Sequence, residues 1–210
     1  MISNIVTISV CLLAISYILI FGTSSYEYVN AISSTVNAGG DGDRWDKYTP
    51  QNVTINAGEN VTWTNPMKVV EPHTVTFVKD KEMIPPLVAP FSVPNNTEFK
   101  PALPAPNVEP TIMPDNTNPN NKLVVTDNLR ASAPVAIDNT KTKVTYLQPN
   151  SNYSFVGDES YVNSGFMFPM GLVPPGALPI TSFTVTFENP GTYYYICVLH
   201  PWMSGTVTVN

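Results

Sequence analysis

Histidine and cysteine are scarce in this sequence, whose 210 residues include only two of each. Cys11 lies in an N-terminal apolar run and Cys197 lies near the other end of the chain, so we expect no structural disulfide between them. The two histidines, His73 and His200, limit the chain to a single small site built from imidazoles. Any such site must therefore recruit both of them.

Charged residues are also few, at 12% of the chain, and the formal net charge is −6. The basic patches that mark nucleic-acid-binding proteins are missing, which excludes a nucleic-acid partner. The 43% of hydrophobic residues is typical of a globular, strand-rich protein. A chain of this length with this composition favours one folded domain.

The densest group of metal-binding side chains is the sequence Cys197-x-x-His200-x-x-Met203. If a strand delivers the cysteine and a tight loop curls back over it, a thiolate, an imidazole and a thioether can face one point. Soft sulfur combined with imidazole favours copper over the hard cations that prefer oxygen. Two histidines and a cysteine with a weak axial methionine form the blue-copper electron-transfer site, so the second imidazole has to come from His73.

The residues around this motif alternate between apolar and polar, which is the pattern of half-buried strands. Residues 183–187 alternate Phe, Val and Phe with threonine and are followed by an Asn-Pro-Gly turn. In the run 192–197, the two-residue period places Tyr193, Tyr195 and Cys197 on one face, with the thiol pointing inward. The predicted metal loop therefore joins two adjacent strands at one end of a sheet.

Three segments resemble the cupredoxins, the plastocyanin-like blue copper proteins. Residues 183–209 resemble the C-terminal signature of the family, with a short loop similar to that of amicyanin. Residues 53–77 are similar to the segment with the distant histidine, and residues 161–165 resemble a segment of plastocyanin-like and halocyanin-like archaeal proteins. The resemblance implies an all-β, Greek-key β-sandwich, residues 51–210, that holds one type 1 copper ion. The implied metal ligands, in the family order, are His73, Cys197, His200 and Met203.

The resemblance also implies what the protein does. We expect a monomeric, archaeal, membrane-associated carrier that shuttles single electrons between redox proteins outside the cytoplasmic membrane. Its partners would dock near His200, which the loop would bring to the surface beside Pro201 and Trp202. Thr74, where plastocyanins commonly have Asn, offers a hydroxyl that could brace the ligand loop.

Two other functions, a copper enzyme and a copper delivery or storage protein, would also use a cysteine and histidine site. Copper enzymes commonly have histidines beside the cysteine ligand that lead to a second copper, whereas Cys197 lies between Ile196 and Val198. We therefore predict no catalytic residues and no enzyme activity. A copper delivery or storage protein would use the same ligands, and this alternative stays open at the level of the sequence.

The remaining segments fall outside the family pattern. Residues 5–21 form an apolar run that would span about 25 Å as a helix, against a bilayer core of about 30 Å. We interpret residues 1–31 as a signal peptide or an uncleaved membrane anchor and residues 32–50, rich in Ser, Gly and Asp, as a linker. A Pro-rich insertion is expected at about residues 81–160, with an irregular arm at residues 94–121.

Overall fold

A computed structural model of the protein describes residues 33–99 and 110–210. These residues belong to one compact unit, residues 31–210. The predicted N-terminal segment, with its apolar run and Cys11, lies outside the described residues. Within the described part of the chain, no helix has the length and apolar character needed to cross a membrane.

Twelve of the described strands build two sheets that share one core. The five-stranded sheet consists of β1 (Ser33–Ala38), β2 (Tyr48–Thr49), β4 (Asn60–Thr64), β11 (Asn152–Phe155) and β13 (Ser182–Phe187). The seven-stranded sheet consists of β3 (Asn52–Ile55), β5 (Thr76–Val78), β9 (Val135–Ile137), β10 (Val144–Tyr146), β12 (Tyr161–Asn163), β14 (Gly191–Ile196) and β15 (Ser204–Val209). The strand orders are β11-β13-β4-β1-β2 and β10-β9-β12-β5-β14-β15-β3. The all-β class is as predicted.

The apolar and polar alternation in the sequence explains how the two sheets meet. In β4, β13 and β15, every second side chain is buried, as a strand with one face on the core requires. Trp63 of one sheet contacts Phe77 and Tyr195 of the other, with ring centroids 5.9 and 5.1 Å apart. Aromatic side chains bury a large apolar area, so this cluster forms the centre of the sandwich.

The prediction of a linker at residues 32–50 is wrong for residues 33–50, which the structure describes. Residues 33–38 form β1, which pairs in parallel with β4 and buries Val36 and Ala38 in the core. The segment then forms a short 3₁₀ turn, Gly42–Arg44, and returns along β1 as β2. The composition is that of a tether, but Val36 and Ala38 fall on the buried side of the pleat.

The predicted insertion contributes to two different sheets. The three-stranded sheet β6-β8-β7 contains β6 (Phe91–Pro94), β7 (Thr111–Pro114) and β8 (Asn121–Val125). A short helix, α1 (Leu129–Ser132), then leads into β9 and β10 of the large sheet. The expected irregular arm therefore contains a strand, β7, and residues 100–109 within it lie outside the described residues.

Phe77 is the best connected aromatic residue of the shared core, since it contacts Trp63, Phe155, Phe187 and Tyr195. We expect Phe77→Ala to lower the free energy of unfolding by about 3–5 kcal/mol, because the truncation leaves a cavity in a packed core. Urea unfolding of the copper-free protein measures this. Tyr194→Ala is the control, since that ring is 70% exposed and its loss should cost under about 0.5 kcal/mol. Equal losses in both variants would contradict the assignment of Phe77 to the core.

Candidate metal centre

The structure brings His73, Cys197 and His200 together at one end of the sandwich. Their potential donor atoms all lie within 4.8 Å of one another, and all three side chains are buried. The Cys197 Sγ lies 4.0 Å from the Nδ1 atom of His73 and 3.6 Å from the Nδ1 atom of His200. Cys197 and His200, three residues apart, thus meet a histidine that lies more than a hundred residues earlier in the chain.

These distances can be tested against the size of a metal ion. For an ion about 2.3 Å from a thiolate sulfur and about 2.0 Å from an imidazole nitrogen, the two donors lie about 3.5–3.7 Å apart at tetrahedral to trigonal angles. The separations of 3.6 and 4.0 Å are close to that range. A single ion can therefore bind the thiolate and both imidazoles with small movements of the side chains. The mixed sulfur and nitrogen donors suit copper.

Sheet register explains how the chain closes the distance between His73 and Cys197. β5 follows His73 and pairs with β14, which ends one residue before Cys197, and Ile196 lies opposite Thr76. His73 itself forms an isolated β-bridge with Met167, through N–H···O distances of 3.1 and 2.8 Å. The histidine and the cysteine are therefore placed by neighbouring strands of one sheet.

The loop from Cys197 to Met203 is closed by its own backbone. The N–H of Cys197 donates to the carbonyl of Met203 at 3.0 Å, and the N–H of Met203 donates to the carbonyl of His200 at 2.8 Å. Met203 is buried in the same cluster as Cys197, directly before β15. Its position allows the predicted role of axial ligand, and that role stays a prediction.

Thr74 ties the two ligand segments together. Its N–H donates to the Cys197 Sγ at 3.3 Å, and its hydroxyl accepts the N–H of Val198 at 2.9 Å. The same hydroxyl lies 3.0 Å from that of Thr76, which donates to the Asn163 side chain at 2.8 Å. The hydroxyl of Thr74 thus braces the ligand loop as the sequence suggested. A hydrogen bond to the ligand sulfur is the kind of contact that tunes a metal site.

The ring of His73 is held on its far side as well. Its Nε2 atom lies 3.1 Å from the Sδ atom of Met67. Gly39 packs against the same ring edge with φ +87°, and a Cβ at that position would meet Nε2 at 2.5 Å. A glycine is therefore required here, since another residue would be strained and would displace the ring. Gly39 lies in the turn after β1, within residues 32–50, which were predicted to be a linker.

His200 is less accessible than the sequence analysis expected, with only 7% of the residue exposed. Its Nε2 atom lies 3.1 Å from a carboxylate oxygen of Glu71. Trp45 and Trp202 flank the ring edge-on, with centroids 5.4 and 5.5 Å from that of His200. The loop does carry His200 toward the outside of the sandwich, but Glu71 and the two tryptophans enclose it.

Burial shifts the proton affinities of two of the donors. Desolvation lowers the pKa of His73 to about 4, with a further contribution from the neighbouring His200. This imidazole is therefore neutral and able to bind a metal well below neutral pH. Desolvation also raises the pKa of the Cys197 thiol, while the N–H of Thr74 acts in the opposite direction. Without a metal the thiol holds its proton at neutral pH, so binding through the thiolate releases that proton.

Fold and donor set together define a two-sheet β-sandwich with a candidate site for one copper ion at its end. Two β-sheets share one core, and the histidine that precedes β5 meets the cysteine and histidine of the loop between β14 and β15. Two imidazoles and a thiolate are three of the four donors of a blue-copper site, and Met203 is buried in the same cluster of core residues as Cys197.

No family model and no curated protein matches the chain. A search of solved structures does find amicyanins. The copper(I) form of one amicyanin variant shares 16% identity over 85% of this chain and 82% of that one, with a TM-score of 0.37. Amicyanin from Paracoccus versutus shares 18% identity over 87% and 86% of the two chains, with a TM-score of 0.31.

The sequence did not point to Gly39, Met67, Glu71 and Trp45, which pack against the rings of the two histidines. Met67 could have been suspected, because it lies six residues before His73 and reaches a nitrogen of that ring. Glu71 gave no signal, because it lies close to His73 in the sequence but contacts the ring of His200. Trp45 gave no signal, because its contact with His200 joins segments that are distant in the sequence.

The pKa of His73 predicts how acid affects the copper-free protein. In the unfolded chain a histidine titrates near pH 6.5, whereas in the folded protein His73 titrates near pH 4. Between these values the unfolded state binds a proton that the folded state does not, so stability falls as the pH falls from about 6.5 to about 4. We expect urea midpoints measured across this range to drop further in the wild type than in His73→Gln. Parallel pH profiles for the two proteins would contradict the shift.

Proposed function

We propose that this protein is a blue, type 1 copper electron-transfer protein that passes single electrons between redox partners. The observation that carries the proposal is the position of the buried Cys197 sulfur, 3.6 and 4.0 Å from two imidazole nitrogens. A trigonal sulfur and nitrogen site with a weak axial thioether is the ligand set of copper electron-transfer centres.

The chain supplies a fixed set of donors. When bound, copper provides a one-electron couple between its cupric and cuprous states. His73 is held between the backbone of Met167 and Gly39, and Cys197 is held by the N–H of Thr74. Because these side chains are packed before the ion binds, little has to move when the charge of the site changes, which favours fast electron transfer.

The proposed docking surface for redox partners lies around His200. Trp202 is 64% exposed and Trp45 is 42% exposed, and both rings contact the His200 imidazole. Exposed aromatic rings are favoured in protein interfaces. A partner that covers these two rings is separated from His200 only by the tryptophan side chains. A small, transient contact is sufficient for electron transfer.

An electron carrier without enzyme activity fits the donor set best. Both histidines of the chain are used by one cluster, which leaves no imidazole for a second copper ion. The three donors of that cluster are buried, which limits the access of a small substrate to the ion.

The apolar run at residues 5–21 supports the further proposal that the protein acts outside the cytoplasmic membrane. It would be exported by a signal peptide or held at the membrane by an uncleaved anchor. The acidic composition supports the absence of nucleic-acid partners, and we propose that the protein is a monomer.

The full-length protein with added copper(II) should show an intense thiolate-to-copper absorption in the visible range and narrow copper hyperfine splitting in paramagnetic resonance. Cys197→Ser should lose both signals, because a hydroxyl cannot replace the soft thiolate. Cys11→Ser is the matched control and should keep both, since that cysteine lies far from the site in the sequence.

Electron self-exchange of the loaded protein separates the carrier from a delivery or storage protein. We expect rapid exchange and copper that resists chelators. Slow exchange combined with ready loss of copper would contradict the electron-transfer proposal and favour delivery. A colourless copper complex of the wild type would contradict the type 1 site itself.

A further inference from the structure

Both nitrogens of the His200 ring have a partner in the structure. Nδ1 faces the Cys197 Sγ at 3.6 Å, and Nε2 faces a carboxylate oxygen of Glu71 at 3.1 Å. An imidazole whose Nε2–H donates to a carboxylate keeps the lone pair of Nδ1 free for a metal. Glu71 therefore favours the tautomer of His200 that the copper site requires.

We propose that Glu71 is a positioning residue for the copper site, which fixes the ring of His200 and holds the redox potential of the bound copper below the value it would otherwise have. This inference rests on the proposed copper electron-transfer function and deepens it. The carboxylate acts on the site through the ring of His200, whose Nε2 atom it faces.

The backbone around Glu71 is tied to the rest of the site. The buried Asn65 side chain donates to the carbonyl of Glu71 at 2.7 Å and to that of Met167 at 2.9 Å. The same side chain accepts the N–H of Met67 at 3.1 Å. Since Met167 pairs with the backbone of His73, one asparagine links the Glu71 loop to the segment that places the other imidazole. The carboxylate is thus delivered by a braced loop.

The sign of the effect follows from charge. A carboxylate that accepts a hydrogen bond from a ligand imidazole makes that imidazole a stronger donor. A stronger donor and a nearby negative charge stabilise the cupric ion more than the cuprous ion, which lowers the redox potential. Removing the charge of Glu71 should therefore raise the potential.

Solvent screening limits how far the charge of Glu71 can change the redox potential of the bound copper. Contacts of this kind change metal affinity by about 10–100-fold. The Glu71 side chain is 38% exposed, so water screens part of its charge and the lower end of that range applies. We expect the ratio of cupric to cuprous affinity to fall about tenfold in Glu71→Gln. For a one-electron couple this equals a rise of about 59 mV in potential.

The test measures the redox potential and visible spectrum of the copper-loaded, full-length protein. Glu71→Gln keeps an oxygen that can accept the hydrogen bond and removes the charge, whereas Glu71→Ala removes both. We expect blue absorption in both variants, a raised potential in both, and the larger change in Glu71→Ala. Glu82→Gln is the charge-matched control, because it removes an exposed carboxylate elsewhere and should leave the potential unchanged.

Nitrogen NMR of the metal-free protein adds a readout that does not depend on copper. His200 should be the Nε2-protonated tautomer in the wild type and a mixture of tautomers in Glu71→Ala. A blue wild type whose potential is the same in Glu71→Gln, Glu71→Ala and Glu82→Gln would overturn this inference and leave the proposed function standing. A wild type without blue absorption would overturn the proposed function and, with it, this inference.

Discussion

The site depends on one buried sulfur atom and the groups that surround it. Cys197 Sγ accepts the N–H of Thr74 and lies within 4.0 Å of a nitrogen of each histidine. Burial alone would keep the thiol protonated, since it raises the pKa of Cys197. When a metal cation binds, it displaces the proton of the thiol, and the resulting thiolate is the form of cysteine that binds metals. Burial therefore disfavours a free thiolate, whereas it strengthens the attraction between a thiolate and a bound copper ion because water is excluded from the site.

The fold makes that arrangement possible by bringing two distant segments together. β5 and β14 are neighbours in the large sheet, so the histidine before one strand and the cysteine after the other meet at the same end. Around them, the turn after β1 supplies Gly39 and the loop after β4 supplies Glu71. Three segments of the chain thus enclose the donors: the turn after β1, the loop between β4 and β5, and the loop between β14 and β15.

Local patterns in the sequence predicted the all-β class, whereas His73 was assigned to the site because the chain has only one other histidine and because of the family resemblance. The structure brings His73, Cys197 and His200 together. The alternation at residues 183–187 matches the buried face of β13, and Tyr195 and Cys197 are buried on one side as the two-residue period requires. The role of residues 33–38 could not be predicted, because the pairing of β1 with β4 is set by contacts far apart in the chain. The burial of His200 was missed for the same reason, since it depends on Glu71 and Trp45.

The central claim is that Cys197 and the two histidines bind one copper ion. X-ray absorption at the copper edge of the loaded, full-length protein tests it most directly. We predict one thiolate sulfur and two imidazole nitrogens bound to copper in both oxidation states, with little change in their distances on reduction. A spectrum that requires only oxygen and nitrogen neighbours would contradict the account.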